Sequence, residues 1–188
     1  MNFHLETKIG LIPDVGATYF LPRIFNNNTK IGLYVGLVGE RIKGKDVVKC
    51  GLATHFIHSS KLDNLKQKIM ELTNEKTDLK QINEICTSFS EFIYKEDQFS
   101  FPKSEIINNV FFHDNLKDIF NKLKELCEVS KNDEIRNWAK TVLEKLKSYS
   151  PISLHLHFEQ FNLGMKMTSL KEAYDLELKL IYKYIKSN

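Results

Sequence analysis

Apolar residues recur at every third or fourth position from Lys61 onward, which is the spacing of amphipathic helices. This pattern predicts a succession of helices, separated once by a loop from Asp97 to Lys103 that contains Pro102. The predicted helices run over residues 62–72, 79–92, 116–126, 135–146 and 152–163, and a last helix runs from the Ser169 cap through about residue 185.

Two of the predicted helices have recognisable starts. Ser150 stands at the N-cap position with Pro151 at the first helical position, where a missing N–H costs nothing. Ser169 and Glu172 have the spacing of a capping box, in which the two side chains satisfy free N–H groups of the first turn.

The first sixty residues have a different pattern, with seven of the eight glycines at or before Gly51. Short strands and helices alternate there, which predicts an α/β layer with a sheet edge. The predicted elements are a strand end at 3–6, a helix over 15–25, a helix over 30–38, a brief helix from Asp46 to Cys50 and a strand over 53–58. We therefore expect one domain with two regions, residues 1–60 and residues 61–188.

Composition narrows the possible functions. A chain of 188 residues with 42% hydrophobic residues can bury a sizeable core, and a net charge of +3 gives no electrostatic reason to expect a nucleic acid partner. No apolar stretch is long enough to span a membrane, so no membrane partner is expected. Cys50, Cys86 and Cys127 are widely spaced and odd in number, which predicts neither a disulfide framework nor a metal site, and no metal is expected.

The candidate chemistry lies in one glycine- and proline-containing segment near the start. Glu6 ends the predicted strand, and Asp14 follows Pro13 at the predicted N-cap of the next helix. Two carboxylates brought to one rim would suit general acid–base or nucleophilic chemistry. Taken alone, however, an exposed strand-end glutamate and a simple helix cap are the more frequent roles of such residues.

A resemblance adds to this interpretation. The segment Glu6–Arg23 resembles the active-site segment of the crotonase (enoyl-CoA hydratase/isomerase) superfamily. Within it, Pro13-Asp14-Val15-Gly16 and Tyr19-Phe20-Leu21-Pro22-Arg23 are more similar to the 3-hydroxyisobutyryl-CoA hydrolase branch than to the hydratases. The similarity continues through Gly36–Asp46 and Gly51–Ile57.

The resemblance implies a fold, a substrate and roles for individual residues. The fold would be part of the ClpP/crotonase spiral, with helices of 61–188 packed over an acyl pocket. The substrate would be an acyl-CoA thioester, 3-hydroxyisobutyryl-CoA of valine catabolism, with coenzyme A as part of the substrate and no separate cofactor. Glu6 would act as nucleophile or base, Asp14 would orient the 3-hydroxyl group or assist proton transfer, Gly16 would admit the acyl group, and Arg23 would be structural.

The resemblance also implies that this chain is the C-terminal half of the hydrolase. The expected oxyanion-hole donors and most of the coenzyme A site would lie upstream of Met1, so we expect negligible activity from the chain alone. A mitochondrial location is implied, although the chain shows no targeting peptide. Two alternatives stay open, an enoyl-CoA hydratase or isomerase and a non-catalytic relative such as a mitochondrial ribosome-associated subunit; a homo-oligomer is also open.

Overall fold

The computed structural model describes residues 6–72, 78–92, 101–112 and 114–187. All regular elements within these ranges are helical, and none of these helices is long and apolar enough to cross a membrane. The α-helices are α1 (Ala17–Phe20), α2 (Ile24–Asn27), α3 (Thr29–Val38), α4 (Asp46–Lys49), α5 (Leu62–Glu71), α6 (Leu79–Phe89), α7 (Ser104–Val110), α8 (Leu116–Val129), α9 (Asp133–Ser148), α10 (Pro151–Gly164) and α11 (Leu170–Ser187). Most of the strand end predicted at 3–6 lies outside the described residues.

The chain folds into two compact units. The larger unit comprises residues 1–42 and 100–188, and the smaller unit comprises residues 43–99. The division expected at residue 60 followed a change in composition along the chain, whereas these units follow contacts in space. The α/β edge expected in the first sixty residues is not confirmed, because the described part of that region contains no strand.

Helix α3 lies at the centre of the larger unit. Its sequence is apolar on nearly every side, as expected for a helix surrounded by others. Eight of its ten residues are buried, and it contacts α2, α7, α9 and α10. At its C-terminus the hydroxyl of Tyr149 donates a 3.0 Å hydrogen bond to the carbonyl of Val38. Burial, reinforced by the charge of Glu40, raises the pKa of Tyr34 on the same helix.

The helix predicted over 15–25 is broken into two short pieces, α1 and α2. Pro22 lies between them, and a proline cannot continue a helix because it lacks an N–H group and clashes with the preceding turn. Phe25, Asn26 and Asn27 then adopt left-handed backbone conformations, with φ values of 58°, 56° and 62°, so α2 is an irregular turn and not a regular right-handed helix. The prediction of one continuous helix here was wrong.

The later helices follow the predicted stripes, with one addition. Helix α7 was not predicted. It is only seven residues long, too short for a clear apolar stripe, and its buried residues are Ile107 and Val110. The start of α10 is confirmed: the N–H of Ser153 donates to the hydroxyl of Ser150, and Pro151 is the first helical residue.

The Ser169 half of the capping box predicted at the start of α11 is also present. The N–H of Glu172 donates to the hydroxyl of Ser169 at 3.3 Å, and that hydroxyl donates to the Glu172 carboxylate at 2.8 Å. The hydroxyl of Thr168 donates to the same carboxylate oxygen at 2.9 Å. The two hydroxyl donors lower the pKa of Glu172.

In the smaller unit, residues 53–58 form a loop rather than the predicted strand. The N–H of Phe56 donates to the hydroxyl of Ser90, and its carbonyl accepts from the N–H of Glu91 at 2.9 Å. The backbone partners of this segment therefore come from the end of α6 and not from a neighbouring strand. Helices α5 and α6 pack together, but neither contains a buried residue.

Candidate active site

Residues 6–16, here named the carboxylate loop, carry both predicted catalytic carboxylates. Glu6 precedes a 3₁₀ turn over Thr7–Ile9, and its carbonyl accepts a 2.7 Å bond from the N–H of Leu11. Asp14 lies near the other end, where its carbonyl accepts from the N–H of Ala17. Both acidic residues are half-buried, and one carboxylate oxygen of Glu6 is shielded from solvent.

Side chains from α10 and α11 hold the carboxylate loop by its backbone. The amide of Gln160 donates a 3.0 Å hydrogen bond to the carbonyl of Pro13, directly before Asp14. The hydroxyl of Tyr184 donates a 2.5 Å bond to the carbonyl of Gly10. The loop also reaches α3, where the hydroxyl of Thr7 donates to the carbonyl of Leu37 at 3.5 Å. The loop is thus fixed by three helices that are distant from it in sequence.

The strongest of these attachments is made by Glu177 of α11. One of its carboxylate oxygens accepts from the N–H of Gly16 at 2.8 Å, and the other accepts from the N–H of Thr18 at 3.0 Å. Glu177 is only 2% exposed. The two backbone N–H donors satisfy both of its buried carboxylate oxygens.

The predicted role of Asp14 as helix cap was wrong. The N-cap position of α1 is occupied by Gly16, and no side chain at that position caps the helix. Glu177 supplies the capping oxygens instead, from the far end of the chain. The carboxylate of Asp14 is therefore not needed to cap α1.

Gly16 lies in a tight setting. Its φ of +86° favours glycine, and a Cβ atom there would lie 2.8 Å from Cδ1 of Leu170 and 3.1 Å from the ring of Phe20. The approach of an acyl group to Gly16 stays a prediction. The N–H groups of Gly16 and Thr18 are taken by Glu177, so any oxyanion donors must come from elsewhere.

Arg23 has the structural role that was predicted for it. Its Nη1 donates to the carbonyls of Tyr19 and Gly164 at 2.8 and 2.9 Å, and its Nη2 donates to the carbonyl of Met167. The guanidinium also lies 3.9 Å from the ring centre of Tyr19. These bonds satisfy carbonyl groups where helices end, which is where a cation is favoured.

Helix α10 reaches α1 through a very close approach at Gly164. A Cβ atom at this position would lie 1.9 Å from the carbonyl oxygen of Thr18, so only glycine fits. The same helix contributes Gln160, whose amide lies 3.4 Å from the hydroxyl of Thr18. These contacts hold the residues that follow the carboxylate loop against α10.

Three residues that hold the loop, Gln160, Glu177 and Tyr184, were missed by the sequence interpretation. Their helices were predicted correctly, but each side chain is polar or amphipathic, and such side chains are usually expected at the protein surface. One signal was present: Glu177 stands four residues after the buried Ala173, and hence on the same helix face. A carboxylate on a buried stripe requires donors, and this could have directed attention to it.

One groove of the larger unit lies away from the carboxylate loop. It has a volume of about 570 Å³, and its lining includes Lys30, Phe112, Asp118 and Met165. None of its lining residues belongs to the carboxylate loop. Within the described residues, no cluster of histidine, cysteine or acidic side chains could hold a metal ion.

A solved structure shares the fold of this chain. Carnitinyl-CoA dehydratase from Mycobacterium thermoresistibile superposes with a TM-score of 0.68 at 23% identity, over 92% of this chain and 44% of that one. The described helices therefore form part of a crotonase fold. Residues 4–188 match the enoyl-CoA hydratase/isomerase family, and the chain belongs to that family. The resemblance noted in the sequence is thereby confirmed.

Relatives with two different names match most of the chain. The mitochondrial 3-hydroxyisobutyryl-CoA hydrolase of Dictyostelium discoideum is 37% identical over 93% of this chain and 43% of its own length. The small ribosomal subunit protein mS47 of Neurospora crassa is 35% identical over 97% of this chain and 37% of its own length. The chain thus spans about two-fifths of the length of these curated relatives.

Proposed function

We propose that this chain carries the catalytic carboxylates of an acyl-CoA thioester hydrolase, with 3-hydroxyisobutyryl-CoA as its substrate. The observation that carries the proposal is the carboxylate loop, in which Glu6 and Asp14 are half-buried on a backbone held by α3, α10 and α11. Catalytic groups need this kind of support, because small errors in their position are costly. The name of the Dictyostelium relative supports the choice of substrate and a mitochondrial location.

In the proposed reaction Glu6 acts as nucleophile or as general base toward water. In the second case it takes a proton from the attacking water, whose oxygen bonds to the thioester carbon. The carbon–sulfur bond of the resulting tetrahedral intermediate then breaks, and the sulfur receives the proton to give free coenzyme A thiol. Asp14 orients the 3-hydroxyl group of the substrate or assists this proton transfer. The products are a 3-hydroxy acid and coenzyme A.

The test is release of free thiol from 3-hydroxyisobutyryl-CoA, monitored with a thiol-reactive dye, by this chain joined to the upstream hydrolase half that the family resemblance implies. We expect Glu6→Gln and Asp14→Asn each to lower kcat by about 10²–10⁴-fold, the usual contribution of general acid–base catalysis. Glu128→Gln, at an exposed position of α8, is the matched control and should keep full activity. Unchanged thiol release by Glu6→Gln would contradict the proposal. Hydration of an enoyl-CoA in place of thiol release would favour the hydratase or isomerase alternative.

A second function is favoured by a separate observation. Relatives named mS47, from Neurospora crassa and Arabidopsis thaliana, are 35% and 28% identical to this chain. A non-catalytic relative in a small ribosomal subunit would not need the two carboxylates. Co-sedimentation with small ribosomal subunits, without any thiol release, would support this alternative.

A further inference from the structure

Glu177 is a buried carboxylate that the proposed chemistry does not use. It lies on α11, yet its two oxygens accept from N–H groups of Gly16 and Thr18, which are 161 and 159 residues away in sequence. With 2% exposure and an N–H donor on each oxygen, it is not placed to touch a substrate. Whatever Glu177 does for a reaction, it does through the loop that it holds.

The backbone that Glu177 holds has an unfavourable conformation. Val15 has a φ of 56°, which is rare for a β-branched residue, and Gly16 follows with a φ of 86°. The side chain of Val15 is 76% exposed, so little packing on that side chain keeps it there. Such conformations persist only where surrounding interactions determine them, and the N–H of the very next residue donates to Glu177.

We propose that Glu177 is a positioning residue that sets the direction of Asp14 by fixing the left-handed turn at Val15 and Gly16. Asp14 directly precedes this turn, so a change in the turn rotates the carboxylate of Asp14 relative to Glu6. Gln160 holds the other side of Asp14 through the carbonyl of Pro13. The inference rests on the proposed hydrolase function, because only there does the direction of Asp14 affect a rate.

Substitution of Glu177 by glutamine tests this inference. Glutamine has the same shape but only one acceptor oxygen, so its NH₂ group faces one of the two N–H donors and the turn loses a hydrogen bond. We expect kcat for thiol release to fall about 10- to 100-fold, as for a misplaced catalytic group. Glu172→Gln, the same change at an exposed position of α11, should keep kcat within about twofold, since it lies outside the loop.

Two further measurements separate positioning from loss of stability. Leu143→Ala removes a buried side chain of α9, and it should keep kcat as long as circular dichroism shows a folded protein. In the same samples, amide hydrogen exchange at Gly16 and Thr18 should accelerate in Glu177→Gln and stay slow in Glu172→Gln and Leu143→Ala. A folded Glu177→Gln protein with wild-type kcat would overturn the inference, as would equal losses of kcat in Glu177→Gln and Leu143→Ala.

The exchange measurement also distinguishes this inference from the proposed function. If the wild-type chain joined to the upstream half releases no thiol, the hydrolase proposal fails and the catalytic part of the inference fails with it. Accelerated exchange in Glu177→Gln would then still show that Glu177 holds the loop. Unchanged exchange would overturn the positioning role itself, whatever the activity.

Discussion

Both units of the molecule contain helices with regular apolar spacing, but these helices are buried to very different extents. In the larger unit α3 buries eight of ten residues, and α10 buries seven of fourteen. In the smaller unit α5 and α6 are regular amphipathic helices without a buried residue. Amphipathic spacing therefore predicts a helix but not how deeply it is buried. All the contacts described for the carboxylate loop come from the larger unit, whose helices are deeply buried.

The largest difference between the units is expected from matched phenylalanine substitutions. Phe158 of α10 is 1% exposed, and Phe158→Ala should lower the free energy of unfolding by about 3–5 kcal/mol through lost burial and a cavity. Phe89 of α6 is half-buried, so Phe89→Ala should cost roughly 1–2 kcal/mol. Urea unfolding gives the totals, and amide exchange assigns them to each unit. Equal costs at the two positions would show that the units are equally well packed.

A smaller loss of stability is expected when Gly164 is substituted. An alanine within a helix normally stabilises it by about 1 kcal/mol relative to glycine. Here the added Cβ would meet the carbonyl of Thr18 at 1.9 Å, so Gly164→Ala should instead destabilise the larger unit by about 1–3 kcal/mol. Ser88→Ala, on an exposed position of α6, is the control and should be nearly neutral. An increase in the unfolding midpoint for Gly164→Ala would contradict the close approach of α10 to α1.

The smallest expected effect is a pH-dependent change in the stability of the smaller unit. A 2.6 Å ion pair with Lys45, first through its hydrogen bond and then through its charge, lowers the pKa of Glu91 below its ordinary 4.5. Because the pKa is lowered in the folded state, the stabilisation is present above pH 4.5 and disappears as the pH falls through the lowered value.

Lys45→Met should therefore destabilise the smaller unit slightly at pH 6 and less at pH 3. Amide exchange of the α6 residues at the two pH values measures this difference. Lys124→Met, at an exposed position of α8 in the larger unit, controls for the loss of a positive charge. A difference between wild type and Lys45→Met that is the same at both pH values would show that the ion pair is not its source.

The sequence predicted long helices well and short-range irregularities poorly. Helices α8 to α11 follow apolar stripes of more than ten residues, and the Ser150–Pro151 start of α10 has a local cause that can be read directly. The break between α1 and α2 has a local cause in Pro22, which lies between them. The segment 53–58 has the composition of a strand, but its hydrogen-bond partners are the residues just after α6, so composition alone could not identify it as a loop.

The candidate site divides in the same way. Glu6, Asp14 and Gly16 could be selected because their spacing matches a family motif, and their proposed roles still await the tests above. The residues that hold them could not be selected from spacing. Gln160 and Glu177 act over more than 140 positions of sequence, and no local pattern specifies which backbone group a distant side chain will meet.

The long separation between the carboxylate loop and its supports has a consequence for how the protein is made. The hydrogen bonds that join Gln160, Glu177 and Tyr184 to the loop and to Thr18 span 147 to 174 residues of sequence. At ordinary translation rates the first of these partners leaves the ribosome roughly 7–30 s after the loop has been synthesised. During that interval the loop lacks the groups that hold it, and forming such distant contacts is slow. The carboxylates are therefore synthesised before the side chains that hold their loop, and completion of α11 supplies the last of those side chains.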